Sequence, residues 1–387
     1  MNSGKYVFAQ LVEFLPQRAF DRIVSHYHGN KYIRHFSCWN QLLCMIFGQL
    51  TQRDSLRDLI VVLEAHCRKS YHLGFGKSVT RSNLSKANER RNYKIFEEYA
   101  YLLIGIARRK RANEDFEIRG KIYAFDSTTI DLCLSVFWWA TFRKKKAGIK
   151  LHTLYDITTQ IPAFIHITEA TVNDVNAMDV IPYEADAYYV FDRGYVDFTR
   201  LYRITLHQAY FVVRAKSNLK FNRMYSGKVD KTTGVLCDQI GKLSGVQTSK
   251  QYPAKIRRIK FYDTETMKTF VFLTNNMELT ALQIALLYKN RWQVELFFKW
   301  IKQHLKVKSF WGTTENAVRI QIYSAIIAYC LVALVGAEQK NKRSTYEILQ
   351  ILGISLLDKT PINEMLTNID YKNVKELNHN QLTIKLF

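Results

Sequence analysis

Residues 120–134 read GKIYAFDSTTIDLCL, and apolar and polar side chains alternate along this stretch as they do in a β-strand with one buried face. Two more strand-like segments follow, KLHTLYD at 150–156 and IPAFIHITEA at 161–170. A helix-prone piece over residues 173–181 then precedes a fourth strand candidate, AYYVFDRGY at 187–195. Strands and helical segments in this order predict an α/β fold in which helices cover a mixed sheet.

The segments on either side of these strands follow other patterns. Residues 1–115 are mainly helical by their amphipathic periodicity. Short strand candidates return over 201–284, where the stretch from 214 to 260 holds twelve Lys or Arg and two Asp or Glu. The helical period resumes as one helix over 282–305, and an apolar helix follows at 317–336. This order predicts an RNase H-like (retroviral-integrase-like) core that is interrupted by a basic, β-rich insertion.

The charge balance indicates the class of partner. The sequence holds 56 Lys and Arg against 34 Asp and Glu, a formal net charge of +22. A protein this basic usually binds a polyanion, because each cation that neutralises a phosphate releases condensed counterions. A membrane is the competing polyanion, but the longest apolar run, 323–336, is short for a bilayer span, and the N-terminus lacks the apolar core of a signal peptide. We therefore expect nucleic acid as the partner, and neither a membrane nor a small-molecule substrate.

The six cysteines are scattered, without a CxxC pair or a CxxC…HxxxH spacing. Neither a zinc site nor a disulfide framework is therefore expected. Cysteines of this kind are typically small buried residues in a reducing compartment, so we expect a cytoplasmic protein.

Two aspartates follow apolar strand segments in the same way. Asp126 stands in YAFDSTTI and Asp192 in YYVFDRGY, and each is followed by small or polar residues. A strand end holds a carboxylate at a fixed position, and hard divalent cations prefer such oxygen ligands. Either residue alone is more typical of a turn or a helix cap, whereas the pair in this strand order favours a metal site.

A third acid lies in a polar helix stripe. Tyr288, Arg291, Glu295 and Lys302 stand at offsets of 0, 3, 7 and 14 residues, and Lys299 lies between the last two. At about 100° per residue the first four fall within about 60° of one another, and Lys299 lies beside them. An ordinary solvated helix face is the alternative interpretation.

The spacing Tyr-x2-Arg-x3-Glu-x6-Lys is the YREK signature, and residues 288–302 match it without a gap. The sequence resembles the DDE transposases of bacterial insertion sequences, in the YREK-signature group (insertion-sequence family four). The resemblance covers residues 118–335 and includes D-S-T at 126–128 and D-R-G-Y at 192–195. TRSNLSKANERRN at 80–92 resembles the helical DNA-binding region that precedes the catalytic core in such proteins.

The resemblance implies a cut-and-paste transposase that cleaves element ends and joins them to target DNA, by way of a hairpin. Asp126, Asp192 and Glu295 would hold two Mg²⁺ or Mn²⁺ ions in each active site. Tyr288, Arg291 and the helix lysines would contact phosphates near the cleaved end. The implied partner is double-stranded DNA, as terminal inverted repeats and as target, bound by a homodimer in a synaptic complex at the bacterial nucleoid.

The sequence departs from its relatives in one respect. In such relatives a tryptophan of the β-rich insertion stacks on a flipped base. Here no Trp lies between Tyr195 and Asn290, and Tyr252, Phe261 and Tyr262 are the rings available for stacking.

Further DNA contacts are predicted at three places, a strand after Asp126, a basic loop and a short helix; the residues are Lys150 and His152, then Arg143, Lys144 and Lys145, then Arg81, Asn83, Lys86, Arg90 and Arg91. The alternatives are a half-buried strand face, a solvated loop and a helix that only grips the DNA backbone.

These patterns divide the chain into 1–115, an all-helical DNA-binding domain; 116–200, the first part of the core; 201–284, the β-rich insertion; 285–345, the second part of the core with the YREK helix; and 346–387, a C-terminal tail. Two other functions fit less well. One is an RNase H-like nuclease that cuts DNA without joining it. The other is a non-catalytic DNA-binding protein descended from a transposase, whose expected mark is the loss of a carboxylate, and all three are present.

Overall fold

The computed structural model of the chain describes residues 4–76, 79–112, 118, 120–133, 135, 137–143, 146–304, 310–339 and 343–367. The helices are α1 (Val7–Val12), α2 (Gln17–His26), α3 (Cys38–Leu50), α4 (Leu56–Ala65), α5 (Arg81–Arg90), α6 (Lys94–Lys110), α7 (Phe198–Leu206), α8 (Val246–Gln251), α9 (Ala281–Lys289), α10 (Trp292–His304), α11 (Glu315–Glu338), α12 (Thr345–Ser355) and α13 (Ile362–Leu366). The strands are β1 (Ile122–Leu132), β2 (Thr141–Arg143), β3 (Lys146–Asp156), β4 (Ile161–Glu169), β5 (Tyr188–Phe191), β6 (Tyr210–Arg214), β7 (Phe221–Ser226), β8 (Val235–Leu243), β9 (Ile256–Asp263) and β10 (Lys268–Thr274). The 3-10 helices Asp174–Val180 and Arg193–Tyr195 flank β5.

All of these strands belong to one mixed sheet. The order is β2-β3-β1-β5-β6-β10-β9-β8-β7, and β4 also pairs with β3. β1, β5 and β6 are parallel, and the flanking pairs are antiparallel. The predicted α/β fold with a mixed sheet is thus confirmed.

The strand β6 bears on the predicted start of the insertion. It lies inside the predicted insertion, 201–284, yet it pairs in parallel with β5 as a strand of the core sheet. The strands β7 to β10 extend the sheet beyond it as an antiparallel meander. We therefore propose that the insertion begins after Arg214.

Helix α11 is the centre of the helical layers. It packs against α3, α5, α6 and α12, and nearly all its residues from Ala317 to Val335 are buried. The apolar run predicted at 323–336 is thus part of a longer helix. By length and composition α11 is apolar enough to cross a membrane. However, 94% of its apolar stretch is buried inside the fold, as is typical of a core helix.

The N-terminal helices share the core of α11. One apolar cluster extends from Val7 in α1 to Leu366 in α13 and includes residues of α3, α6 and α11. The backbone N–H of Val7 donates to the carbonyl of Asp358 at 2.9 Å. The described residues within 4–112 are therefore mainly helical, as predicted, and their buried apolar side chains belong to the same cluster as those of the C-terminal helices.

The prediction of a single helix over 282–305 is wrong, because a turn interrupts the helix between α9 and α10. The N–H groups of Arg291, Gln293 and Val294 each bond to the carbonyl three residues back. This tighter bonding, together with the Asn290 side chain on the carbonyl of Leu286 at 3.1 Å, ends one helix and starts the next. Tyr288 and Glu295 consequently lie on different helices.

Asn316, in the first turn of α11, fixes the end of α5. Its side-chain amide donates to the carbonyls of Asn88, Glu89 and Arg91 at 2.9, 3.3 and 2.6 Å, and its oxygen accepts from the N–H of Tyr93 at 3.1 Å. The last carbonyls of a helix lack partners within the helix, so this amide satisfies groups that would otherwise need water.

Asn316→Ala removes these bonds, and we expect the free energy of unfolding to fall by about 1–3 kcal/mol. The measurement is a urea titration followed by circular dichroism. Glu315→Ala is the control, because Glu315 forms an exposed pair with Arg319, and we expect its loss to cost less than about 1 kcal/mol. Equal stability of Asn316→Ala and the native chain would contradict a stabilising role for the bonds from Asn316 to the end of α5.

Candidate active site

Parallel pairing brings Asp126 and Asp192 together. Phe125 of β1 pairs with Phe191 of β5, so the next residue along each strand is an aspartate. Neighbouring strands lie about 4.8 Å apart, and equivalent residues of a parallel pair point to the same face. β5 ends at Phe191, but β1 continues to Leu132 against β3, so Asp126 lies within a strand and not at its end as predicted.

One guanidinium links Asp126 to Glu295. The Arg291 Nη1 donates to Asp126 Oδ2 at 2.9 Å, and its Nη2 donates to Glu295 Oε1 at 2.7 Å. Arg291 lies in the turn between α9 and α10, and its side chain is largely buried. Hydrogen bonds between ionised groups are short and strong, so this turn fixes both carboxylates.

The two aspartates differ in their electrostatic surroundings. Burial raises the pKa of Asp126, and the Ser127 N–H and Arg291 offset this only in part. Burial would also raise the pKa of Asp192, but the Arg193 N–H and the Tyr288 hydroxyl outweigh it and hold the pKa below its ordinary value.

The Tyr288 hydroxyl donates to Asp192 Oδ1 at 3.0 Å. Burial and the neighbouring Asp192 raise the pKa of Tyr288 to about 12, so this phenol stays protonated and keeps donating. Tyr288 therefore orients Asp192 and does not project freely into the site.

The donor set suits a hard divalent cation. Asp126, Asp192 and Glu295 supply only carboxylate oxygens, the ligands that Mg²⁺ and Mn²⁺ prefer. Within the described part of the chain no three His, Cys, Asp or Glu side chains are close enough together to hold a metal ion. The two aspartates are neighbours, whereas Glu295 is linked only to Asp126, through Arg291, whose buried Nε has no hydrogen-bond partner.

Lys150 and His152 lie on the opposite face of the sheet from Asp126. His152 pairs with Ser127, and residues directly opposite in an antiparallel pair share a face. The Ser127 hydroxyl donates to Asp174 Oδ1 at 2.8 Å, and Lys150 Nζ lies 3.1 Å from the same oxygen. His152 is fully buried, with Nε2 2.9 Å from the hydroxyl of Thr168. These residues brace the far side of β1, and His152 does not reach the surface where DNA would lie.

The two helix lysines differ in exposure. Lys302 Nζ donates to the carbonyl of Thr129 at 2.8 Å, which ties α10 to β1. Lys299 is exposed. In the predicted basic loop, Lys144 and Lys145 lie outside the described residues, as does the side chain of Arg143, whose backbone belongs to β2.

Helix α5 divides the predicted N-terminal contacts into two groups. The exposed ones are Arg81, Asn83, Lys86 and Arg90. Arg91 is buried, and its guanidinium donates to the carbonyls of Phe36 and Ser37 and to Gln41 Oε1. A guanidinium with these partners stabilises the fold and is not presented to DNA.

A cavity of about 600 Å³ lies beside the carboxylates. It extends from Asp192 and Glu295 across β9 and β10. Most of its other lining residues are aromatic or charged, among them Arg214, Phe261, Lys268, Phe270, Phe272 and Trp292. The Phe270 ring stacks on Phe272 with centroids 5.9 Å apart, and the Arg214 guanidinium lies 5.0 Å from the Phe270 centroid.

Of the rings predicted for stacking, only Phe261 lines this cavity. Tyr252 is buried in the core on the other face of the sheet, and Tyr262 is not among the lining residues. The rings predicted for stacking include neither Phe270 nor Trp292. The available signal for Trp292 was its place directly after Arg291, inside the YREK spacing.

The region that holds the three carboxylates matches a known family. The family model described as "Transposase DDE domain" matches residues 118–331, and one described as "Domain of unknown function (DUF4372)" matches residues 3–76. A Sinorhizobium fredii protein named as the transposase y4zB is 39% identical over 273 residues, 69% of this chain and 74% of that protein.

Two further similarities are more distant. A Geobacillus stearothermophilus protein named as a transposase for insertion sequence element IS5377 is 30% identical over 267 residues, 67% of this chain and 68% of that protein. The cryo-EM structure of the piggyBac transposase synaptic complex with hairpin DNA aligns over 98% of this chain and 85% of that chain, with a TM-score of 0.45 and 10% sequence identity.

The buried ring of His152 makes a pH-dependent contribution to stability. Burial lowers its pKa to about 4, although Asp174 acts in the opposite direction. An unfolded histidine has a pKa near 6.5, so between about pH 6.5 and 4 unfolding takes up a proton that the folded ring does not bind. The contribution of this group to the free energy of unfolding is therefore fully present above about pH 6.5. It decreases by about 1.4 kcal/mol for each pH unit below that, about 3 kcal/mol in total.

We expect His152→Gln to lose less stability than the native chain between pH 6.5 and 4, measured by urea titration at each pH. His26→Gln, at an exposed position in α2, is the control and should keep the native pH dependence. Identical pH dependence of His152→Gln and the native chain would show that His152 is protonated in the folded state.

Proposed function

Because the chain belongs to the transposase DDE domain family, we propose that Asp126, Asp192 and Glu295 are its catalytic carboxylates. The enzyme cleaves DNA and transfers strands, it depends on a divalent metal, and DNA is its partner. The observation that carries the proposal is the bridge from Asp126 through Arg291 to Glu295, beside Asp192 in the adjacent strand. All three carboxylates lie in the matched region, 118–331.

We propose Mg²⁺ or Mn²⁺ as the metal, with two ions in each active site, held by the three carboxylates. When bound, such ions activate the attacking oxygen and stabilise the leaving oxygen of an in-line displacement at phosphorus. The attacking group would be water in the first cleavage and a DNA 3′-hydroxyl in the later steps. No Ser or Tyr nucleophile is then needed.

The positions of Arg291 and Lys299 support phosphate binding at the edge of this site, whereas the Lys302 Nζ binds the carbonyl of Thr129. The two Nη groups of Arg291 already bind carboxylate oxygens, and the same planar fork suits phosphate oxygens. Lys299 is exposed on α10, one turn beyond Glu295. For Tyr288, the bond to Asp192 favours a positioning role over direct contact with phosphate.

The remaining parts of the chain bind and present DNA in this proposal. The exposed polar face of α5 reads the terminal inverted repeats, and the basic strands of the insertion grip the backbone of end or target DNA. Two subunits form the synaptic complex, in the bacterial cytoplasm at the nucleoid. The family and the presence of all three carboxylates favour this function over a nuclease without joining activity or a non-catalytic DNA-binding protein.

The cavity beside the carboxylates supports a hairpin route. A hairpin bends DNA sharply, and the bend is easier when one base leaves the stack and packs on an aromatic ring. Phe261, Phe270 and Trp292 line the cavity, and the Trp292 side chain is about half exposed. We propose that the base stacks here, on rings of both the insertion and α10.

Asp126→Ala, Asp192→Ala and Glu295→Ala should each lower the rate of end cleavage by about 100-fold or more, because the charge that develops at phosphorus loses its stabilisation. Binding to end DNA should stay near the native level. The measurement is cleavage of labelled end DNA in Mg²⁺ on a denaturing gel. Asp131→Ala, at an exposed position of the same strand, should cleave normally. Near-native cleavage by any one of the three variants would remove that residue from the site.

Trp292→Ala and Phe270→Ala should keep first-strand nicking and lower the yield of hairpin by about tenfold, because stacking of a base on a ring contributes about 1–3 kcal/mol. The products are resolved on native and denaturing gels over a time course. Tyr225→Ala, at an exposed position of β7 outside the cavity, is the matched control. Normal hairpin yield in both variants would contradict the stacking role, and double-strand release with no hairpin at any time point would contradict the route.

A further inference from the structure

We propose that the segment Tyr32–Phe36 and helix α5 form one surface that binds duplex DNA, with the segment as a second contact beside the helix. The proposal rests on the proposed function, because it names the part of the chain that holds the end DNA. Neither the YREK motif nor the predicted set of DNA contacts includes the segment.

The segment and the helix are the two walls of a groove of about 430 Å³. Tyr32 and Arg34 line one wall, and Asn83, Lys86 and Arg90 line the other. Asn83 offers an amide that can bind a base edge, and the neighbouring cations suit phosphates on either side of it. A helix and a loop that line the same groove can therefore contact one stretch of duplex together.

A buried polar network holds the two walls in register. Arg91, directly after α5, donates to the carbonyls of Phe36 and Ser37 and lies 5.3 Å from the centroid of the Phe36 ring. The amide of Gln41 donates to Asn88 Oδ1 at 2.7 Å. A groove with fixed walls binds without the entropy cost of ordering them.

Tyr32 is exposed in a way that folding alone does not explain. Its side chain is 91% exposed, its φ is +61°, and the neighbouring Ile33 is 43% exposed. A bulky residue in the left-handed region is uncommon and costs conformational energy, and such residues concentrate at ligand sites. Lys31 Nζ lies 5.1 Å from the Tyr32 ring centroid, so a cation accompanies the exposed Tyr32 ring.

The charge of the groove identifies its occupant. Its exposed cations are Arg34, Lys86 and Arg90, and none of the described residues that line it is acidic. Such a surface matches the phosphates of DNA, whose neutralisation releases counterions. The bonds from Asn316 to the end of α5 tie the groove to α11, and so to the core that carries the carboxylates.

The experiment uses the full chain in EDTA, so that binding is measured without cleavage. The probe is a fluorescein-labelled duplex from the terminal inverted repeat beside the gene, with a random duplex of equal length for comparison. Anisotropy titrations at several salt concentrations give the affinity and its salt dependence. Arg34→Ala and Tyr32→Ala test the segment, and Arg18→Ala and Tyr71→Ala are controls at exposed positions outside the groove.

We expect Arg34→Ala to bind end DNA about three- to tenfold more weakly and to lower the salt slope by about 0.9, the change for one lost phosphate contact. Tyr32→Ala should weaken binding by a similar factor without changing the slope. The control variants should bind like the native chain. Because the substituted side chains are exposed, the melting temperature should not change in any of the four.

Native affinity and slope in both segment variants would overturn the proposal and leave an acidic protein as the alternative occupant. Equal losses in the controls would overturn it as well. Neither result decides the proposed catalytic role. That role is tested separately, by the cleavage assay of the carboxylate variants in Mg²⁺, whereas the groove is tested by binding in EDTA. A native chain that binds end DNA through this groove but never cleaves it would instead overturn the proposed catalytic role and leave the groove in place.

Discussion

The parallel register between β1 and β5 determines the geometry of the site. Tyr123 and Phe125 lie opposite Tyr189 and Phe191, and these rings pack in contact within a core that covers one face of the sheet. A slip by one residue would turn every ring toward the other face, so the buried aromatic pairs fix the register. The carboxylates of Asp126 and Asp192 follow this register directly, because each is the next residue along its strand. Two acids that are distant in the chain thus become neighbours through apolar packing beneath them.

The carboxylates are held near one another against their mutual repulsion, and Arg291 supplies the opposing charge. Its place in the turn between α9 and α10 matters, because the break lets α10 start with Glu295 in its first turn. An acid in that position also interacts favourably with the partial positive charge of a helix N-terminus. Tyr288, at the end of α9, approaches Asp192 from the other side of the same turn. The YREK spacing therefore spans two consecutive helices and the turn between them, and not one face of a single helix.

Much of this arrangement could be predicted from the sequence, because the informative patterns are local. Alternation over 120–134 and the apolar run before Asp192 give β1 and β5 directly, and the order of elements gives the mixed sheet. The break at Asn290 could not be predicted, because apolar periodicity continues across it and the tighter turn depends on packing against the strands. The burial of His152 and Arg91 depends on distant residues, Asp174 and Phe36, so their polar character alone favoured a surface role. The cavity lined by Phe270 and Trp292 forms only when the meander β7 to β10 extends the core sheet, which is a long-range pairing.

The shared core of the N-terminal helices and α11 has a consequence for synthesis on the ribosome. The helices α3, α5 and α6 pack on α11, which ends at Glu338. At about 5–20 residues per second, translation from one to the other takes on the order of ten seconds or more. During that time the apolar residues that pack on α11 lack their native cover, although the N-terminal helices also pack on one another. The bonds from Asn316 to the end of α5 cannot form until α11 has emerged, so an incomplete nascent chain lacks them. If α5 binds end DNA as proposed, only chains whose carboxylate-bearing core has already been made would capture DNA.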